Sequence, residues 1–500
     1  MRSTGLFNDT IAFGVALLLS LVLTPAIRNF ALSHHLVDAI GSVRKVHTRS
    51  VPRLGGVAIV LAWLCAAGFV LALQPSLQHL FWDVRPRTTV FVVGAIVAAG
   101  LGMVDDIRGL RARYKLIVEL GIGALLCWGG FTVDELQLPG DVHLALGPFA
   151  VPFTMLWVAG VMNAMNLIDG LDGLAAGVAA IALGTTLVLA LASGKQLLAL
   201  YTAAMLGAVG GFLVFNFNPA SIFMGDAGSL FLGYFLSVVM LLPARGSTWA
   251  VLEVAVPVAI LGVPILDTIL AIARRAIRGR GVFSPDRAHI HHRLLAFGLT
   301  QRQAVLALYG ASLVLAVCAV AMGYGDSRLD VVICMALLAA VLVSLRLIGV
   351  FDVRFKALRL DRQRNIALRE RVQHIATKLE KVARIDDVFE SIHQFAPAVA
   401  ANACRGHIGS VSFEHPPVVF SGRSFEARFS LEAGTRRVGD VVLIWGDGRQ
   451  RLEDEQALAI EEICQNAARA VLRVSPQLVE HPFAPAALEM APARRRPVTR

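Results

Sequence analysis

The chain is short of charge. Aspartate, glutamate, lysine and arginine make up only 16% of its 500 residues, hydrophobic residues make up 56%, and the mean hydropathy is +0.66. A soluble domain carries about 25% charged residues, so a chain this apolar could not keep a folded surface wet and reads as a membrane protein. Cysteine is scarce too. Cys65, Cys127, Cys318, Cys334, Cys404 and Cys464 are scattered without metal-ligand or redox spacing, which argues against a zinc or thiol–disulfide centre; they read as small buried hydrophobes. No Walker loop and no G-x-G-x-x-G fingerprint occurs, so ATP-driven and redox chemistry lack their usual binding loops. No internal repeat is visible. The net charge of +10 would suggest nucleic acid in a soluble protein. Here the basic residues gather in loops and at the C-terminus, as membrane orientation requires, and no nucleic-acid partner is expected.

What is present is a series of apolar runs. A bilayer core takes about 20 apolar residues per helix. Such runs cover roughly 6–32, 54–74, 88–104, 114–130, 149–165, 173–192, 197–215, 227–243, 250–273, 304–323 and 329–350. The first is too long for a signal peptide, lacks a small-x-small cleavage site, and reads as a retained span. Alternate loops differ in charge: those at 44–53, 108–115 and 274–302 hold fifteen Lys and Arg, and the opposite set holds five, Arg85, Arg87, Lys195, Arg245 and Arg328. The first set is therefore cytoplasmic, with the N-terminus outside and the C-terminus inside.

The fold expected is an all-α polytopic membrane protein of about eleven transmembrane helices over 1–350, followed by a small soluble α+β domain. Residues 351–384 form a basic amphipathic linker, ten basic residues against four acidic, with Leu368, Val372, Ile375, Leu379 and Val382 on one stripe. Strands at His407–Glu414, Phe425–Leu431 and Val438–Trp445 and a helix at Glu453–Val474 suggest a domain over 385–475, weakly similar to the GAF class. The tail at 476–500, rich in Pro, Ala and Arg, is expected to be disordered.

Polar residues mark the chemistry, because carboxylates near membrane depth are costly and usually functional. Four clusters fall on the cytoplasmic side. Asp105-Asp106 ends the third run, and adjacent carboxylates repel unless a cation or proton relieves them. NAMNLIDGLDGLAAG carries Asn163, Asn166, Asp169 and Asp172; in a helix this spacing puts all four on one face. NFNPASIFMGDAGSLFLG carries Asn216, Asn218 and Asp226, the last between Gly225 and Gly228 on a loop suited to a hard cation. The fourth joins Asp267 to an Arg-rich turn, Arg287, His289, His291, His292 and Arg293. His-x-His-His is not a zinc spacing, and a pyrophosphate cradle fits better. Acids for Mg2+ beside cations for phosphate describe phosphoryl transfer, which is mostly positioning and charge neutralisation.

KVHTRSVPRLGG (45–56), GMVDDIRGL (102–110), NAMNLIDGLDGLAAG, NPASIFMGDAGSLFLG and FSPDRAHIHHRLL resemble, in order, the signatures of the polyprenyl-phosphate N-acetylhexosamine-1-phosphate transferase family. The resemblance covers about 1–350. It implies an enzyme of the bacterial inner membrane that uses Mg2+, with Mn2+ as a substitute, and passes a sugar 1-phosphate from a UDP-N-acetylhexosamine to undecaprenyl phosphate. UMP is released, and a lipid-linked cell-envelope polysaccharide is begun. By the same resemblance Asp105 and Asp106 serve the metal and activate the lipid phosphate, Asp226 is a metal ligand, and Asn163, Asn166, Asp169 and Asp172 line the nucleotide and metal site. Lys45, Lys115 and the histidines contact phosphates, and Asn218, Asp267 and Arg287 are placed with the substrate. One departure is Glu119, where the family has Gln; a turn past Lys115, it is expected to pair with it. The His-Ile-His-His form resembles the branch that starts O-antigen, common-antigen or teichoic-acid lipids, with UDP-GlcNAc the expected donor. A muramyl-pentapeptide transferase is the nearer rival and an ion-coupled transporter the more distant one; homodimer formation stays open.

The loop charges give a direct test. A green fluorescent protein fused after Arg500 should fluoresce, whereas alkaline phosphatase at the same point should be silent; an active phosphatase fusion would reverse the orientation.

Overall fold

The computed structural model describes residues 2–34, 51–138, 142–241, 255–277, 289–324, 327–347, 355–409, 411–415, 424–433, 436–447, 452 and 454–476. Two compact units emerge, Met1–Arg274 with Phe283–Asp352, and Arg275–Val282 with Val353–Arg500. In the first, the elements run α1 (Arg2–Ser33), α2 (Gly55–Leu73), α3 (Pro75–Asp83), α4 (Arg85–Arg108), α5 (Ala112–Trp128), β1 (Glu135–Leu138), β2 (Val142–Ala145), α6 (Ala150–Ile168), α7 (Leu174–Ala192) and α8 (Gln196–Asn216). They continue with α9 (Gly225–Val239), α10 (Ala255–Ile260), α11 (Gly262–Ile277), α12 (Ile290–Ala296), α13 (Gln301–Tyr324) and α14 (Ser327–Leu347). Among the described residues seven helices are long and apolar enough to cross a membrane: those of α1, α2, α4, α6, α7, α8 and α13. α9 and α14 carry shorter apolar stretches.

Two of the expected runs take a different form. The 250–273 run is divided at Leu261 into α10 and α11, because Pro264 has no N–H for the carbonyl of Ile260 and its ring crowds that turn. The 114–130 run is the 17-residue α5, shorter than a usual span. The hairpin β1–β2, paired antiparallel from Glu135↔Ala145 to Leu138↔Val142, was not expected; four residues per strand are too few to show a period in the sequence.

α9 is the axis of this unit. From Ala227 to Val239 every side chain is buried, the signature of a helix enclosed by others, and α2, α4, α6 and α7 pack around it. Its apolar length meets an aromatic cluster in which Trp63 of α2 lies 5.4 Å from Phe235, 5.7 Å from Phe231 and 5.8 Å from Phe91, ring centre to ring centre. The polar tips are satisfied within it. Trp63 Nε1 donates to the Tyr201 carbonyl at 3.2 Å and the Tyr234 hydroxyl to the Phe91 carbonyl at 2.8 Å, as buried Trp and Tyr require.

The second unit contains α15 (Phe355–Lys381), α16 (Ile385–Phe395), β3 (Ala403–Ile408), β4 (Val411–His415), β5 (Phe425–Ala433), β6 (Arg436–Trp445) and α17 (Asp454–Val474). Its sheet has the order β4-β3-β6-β5 with every pairing antiparallel. The single strand expected at 407–414 is the end of β3 and most of β4, turned at Gly409, whose φ of +56° favours glycine. Val372, Ile375, Leu379 and Val382 join Val441, Leu443 and Trp445 of the sheet and Ile460, Ile463 and Val471 of α17 in one core. Burial pushes the Cys404 thiol up to about 11 and the Cys464 thiol up to about 12, so both are inert packing groups.

Replacing Trp63 by Ala removes the centre of the aromatic cluster. The loss should be of the order of 3–5 kcal/mol for a large-to-small core change, read as a clear fall in Tm of the detergent-purified protein; an unchanged Tm would show that α2 does not seal the α9 core.

Candidate active site

The polar motifs meet where α9 begins. Asp106, near the end of α4, accepts the Asp226 N–H at 2.9 Å on Oδ1 and the Ala227 N–H at 3.0 Å on Oδ2. It thereby caps α9 and meets the positive end of that helix. α4 can come this close because residue 102 is glycine: any Cβ there would collide with the carbonyl of Asp226. A short backbone ladder ties in the end of the first motif. The N–H groups of Gly55 and Gly56 donate to the carbonyls of Phe223 and Met224 at 3.0 and 2.8 Å, and the Phe223 N–H donates to the Pro52 carbonyl at 2.8 Å. This segment brings the Arg53 guanidinium into electrostatic reach of Asp106 and Asp169.

The other carboxylates are held by a lysine and an amide. Lys115 of α5 places its ammonium 2.6 Å from Asp105 Oδ2 and 3.1 Å from Asp226 Oδ2. Asp105 Oδ1 also accepts the Leu110 N–H at 2.5 Å. Asn166 of α6 donates to Asp226 Oδ1 at 3.0 Å and to Ser229 Oγ at 2.9 Å. Asp169 follows the last residue of α6; burial, then repulsion from Asp226 and Asp106, pushes its carboxyl up to about 7, against the pull of Arg53. Asp105, Asp106, Asp169 and Asp226 thus converge, with Lys115 and Arg53 to offset them among the described residues, and such crowding favours a bound cation.

Among the described residues no group of three or more His, Cys, Asp and Glu is arranged as a complete metal cage. Mg2+ does not need one. It usually takes one or two carboxylates and fills its octahedron with water and substrate phosphate oxygens, and Asp226 with Asp169 fits that donor set. The oxygens of Asp106 accept backbone N–H groups of α9, and those of Asp226 accept the side chains of Asn166 and Lys115.

Several expected roles look different in place. Asn163 and Asn166 share a face of α6, but the helix ends at Ile168, so Asp169 and Asp172 sit on the turn that follows and not on one four-residue stripe. Glu119 is fully buried and its hydrogen bond comes from Asn163 Nδ2, which also donates to the Ala159 carbonyl at 2.8 Å. The hydrogen bonds of Lys115 go to Asp105 and Asp226. The expected Lys115–Glu119 pair is therefore replaced by two separate layers, one turn apart on α5. Asp172 and Asn218 belong to a clasp between the α6–α7 turn, the loop before α9 and the start of α13. Asn218 Nδ2 donates to Asp172 Oδ2 and Gln301 Oε1, both at 2.9 Å, the Ala220 N–H donates to Asp172 at 3.0 Å, and Arg302 donates to the Asn218 carbonyl at 2.9 Å.

The histidines stand on the other side of the Asp169 turn. His289 and His291 are stacked at 5.6 Å with an interplanar angle of 6°, and His292 lies 4.4 Å from His291. His291 rests on Gly170, where any Cβ would meet its Nε2 within van der Waals contact. Burial first, and then the charge of His292, holds the His291 imidazole down to about 3. Asp267 of α11 is bound to His289 Nδ1 at 2.9 Å. Lys45 and Arg287 lie outside the described residues. Arg53, Ser229, Gln301 and Arg302 were not singled out by sequence; Arg53 and Ser229 carried a signal, since each lies within one of the motifs.

Several known proteins are similar to this chain. The model of Glycosyl transferase family 4 matches residues 88–244, the stretch from α4 to just beyond α9. A probable undecaprenyl-phosphate N-acetylglucosaminyl 1-phosphate transferase of Bacillus subtilis is 38% identical over 360 residues, 71% of this chain and 96% of the relative. A decaprenyl-phosphate N-acetylglucosaminephosphotransferase of Mycobacterium tuberculosis is 34% identical over 304 residues, 55% of this chain and 74% of the relative. An undecaprenyl-phosphate alpha-N-acetylglucosaminyl 1-phosphate transferase of Escherichia coli K12 is 27% identical over 295 residues, 58% of this chain and 77% of the relative.

The seat of His291 on Gly170 makes a sharp prediction. Gly170→Val should insert and purify normally yet lose roughly tenfold or more in turnover, as displaced positioning groups do; activity equal to the parent would mean that the histidine array does not serve the Asp169 turn.

Proposed function

This chain belongs to glycosyl transferase family 4, and from that membership and its own site we propose that it transfers N-acetylglucosamine 1-phosphate from UDP-N-acetylglucosamine to undecaprenyl phosphate, releasing UMP. The observation that carries the reading is the convergence of Asp105, Asp106, Asp169 and Asp226 with Lys115 at the start of the buried helix α9. In the reaction a phosphate oxygen of the lipid bonds to the sugar-bearing phosphorus, and the bond from that phosphorus to the oxygen bridging to UMP breaks. The protein's share is positioning and neutralisation.

Asp226 and Asp169 would hold Mg2+, with Mn2+ as a substitute, which supplies positive charge to the diphosphate when bound. Asp106 fixes Asp226 by capping α9. Asp105 is assigned to the lipid phosphate, as acceptor of its remaining proton. Lys115 keeps Asp105 and Asp226 from repelling each other and offers its ammonium to a phosphate oxygen. Asn163 and Asn166, with both amide hydrogens engaged by the protein, turn carbonyl oxygens to the nucleotide side. His289, with Lys45 and Arg287, serves the diphosphate.

The loop charges support an arrangement of eleven spans in the bacterial inner membrane, with this site and the C-terminus cytoplasmic. Residues 351–384 act as a linker to a soluble domain at 385–475. None of the five motifs lies beyond Val350, so the extension is dispensable for the chemistry. The lipid product would start a cell-envelope polysaccharide.

Purified protein given UDP-N-acetylglucosamine labelled in the sugar should move label into a butanol-extractable lipid, with UMP as co-product. UDP as co-product would mean glycosyl transfer, and activity restricted to the muramyl-pentapeptide donor would mean a different branch. Asp226→Asn should insert normally and lose about 10²–10³-fold or more in kcat, the scale of a removed electrostatic group in an active site. Chelation should abolish transfer and Mg2+ or Mn2+ restore it.

A further inference from the structure

The sequence places Asp267 with the groups that touch substrate, yet its carboxylate is turned inward. The side chain is only 4% exposed. Oδ2 is bound to His289 Nδ1 at 2.9 Å and Oδ1 accepts the Ile290 N–H at 2.9 Å. We propose that Asp267 is a positioning residue for the transfer reaction: it orients His289 so that Nδ1–H faces α11 and Nε2 faces the diphosphate, while His291 acts as a wedge behind it. The inference rests on the proposed function in one respect, that His289 serves the diphosphate.

The geometry supports this in three steps. An ionised carboxylate only accepts hydrogen bonds, so the Asp267 contact fixes the proton on Nδ1 and leaves Nε2, on the far side of the ring, as the outward nitrogen. With a proton on Nε2 as well, that nitrogen is a charged donor suited to a phosphate oxygen. The plane of the ring is then set by stacking on His291, which is seated on Gly170 beside Asp169. Asp267 also holds the Ile290 N–H, so one carboxylate fixes both the ring and the backbone that carries it. A carboxylate behind a ligating or catalytic histidine sets its tautomer and direction, and losing it commonly costs 10- to 100-fold.

A merely structural pin would use the same contacts, so the test must separate the two. The full-length protein in detergent is compared with Asp267→Asn, His289→Gln and the double variant, reading the Kd for UDP and kcat/KM for the donor. Asp267→Asn should weaken UDP binding and kcat/KM about tenfold or more in the parent and less than about twofold in the His289→Gln background, because the group it positions is then gone. An equal penalty in both backgrounds, or no penalty in the parent, overturns the proposal. If Asp267→Asn does not insert, Asp267→Glu keeps the charge, shifts it by one methylene, and carries the same comparison. Coupled UDP binding in a protein that transfers nothing would leave the positioning of His289 on the diphosphate standing and remove the transferase reading. A parent protein that binds no UDP removes both.

Discussion

The ammonium of Lys115 between Asp105 and Asp226 is the contact on which the site depends. Two carboxylates brought this close repel each other strongly where water is scarce, and the lysine at 2.6 and 3.1 Å allows α4, α5 and α9 to converge there. Asp106 completes the joint by taking the first N–H groups of α9. Among the described residues the balance is incomplete in charge: Lys115 and Arg53 offset Asp105, Asp106, Asp169 and Asp226. The remainder is what a cation and a diphosphate would settle together, so the features that make the folded site costly are those that make it receptive.

The membrane fold supplies the rigidity this needs. α9 is enclosed along its length, with its aromatic neighbours locked by hydrogen bonds from Trp63 and Tyr234. Its N-terminus is therefore a fixed point rather than a frayed end, and sites built on rigid elements hold their geometry best. The clasp of Asp172, Asn218, Gln301 and Arg302 and the pair of Asp267 with His289 extend the same logic outward, tying the turn after α6 to α13 and α12 to α11.

Much of this was legible in the sequence because membrane proteins mark function by where they tolerate charge. Asp105, Asp106, Asn166, Asp169 and Asp226 were each singled out by lying at the ends of apolar runs, Lys115 came from the family resemblance, and the structure brings them together. Their division of labour was not legible. Asp106 and Asp105 are neighbours of one type, and only the approach of α9 shows that one caps a helix while the other meets the lysine. Asp172 and Asn218 carry the same local signal as Asp169, but Asp172 pairs with Asn218, 46 residues away, and Asn218 with Gln301 of α13, 83 residues away, separations no periodicity reports. Glu119 looked like a partner for Lys115 from spacing alone; the competing carboxylates that claim the lysine lie on other helices. The break at Leu261 could have been read from Pro264, whereas the β1–β2 hairpin left no pattern to read.

The central claim is that the acids at the head of α9 hold a cation against the donor's diphosphate. It is tested most directly by electron–nuclear double resonance on the full-length protein loaded with Mn2+ and UDP-N-acetylglucosamine. A phosphorus coupling should appear on the bound Mn2+ in the parent, and both the coupling and tight Mn2+ binding should be lost in Asp226→Asn. Mn2+ bound equally well by that variant, or bound in the parent with no phosphorus coupling, would contradict the account.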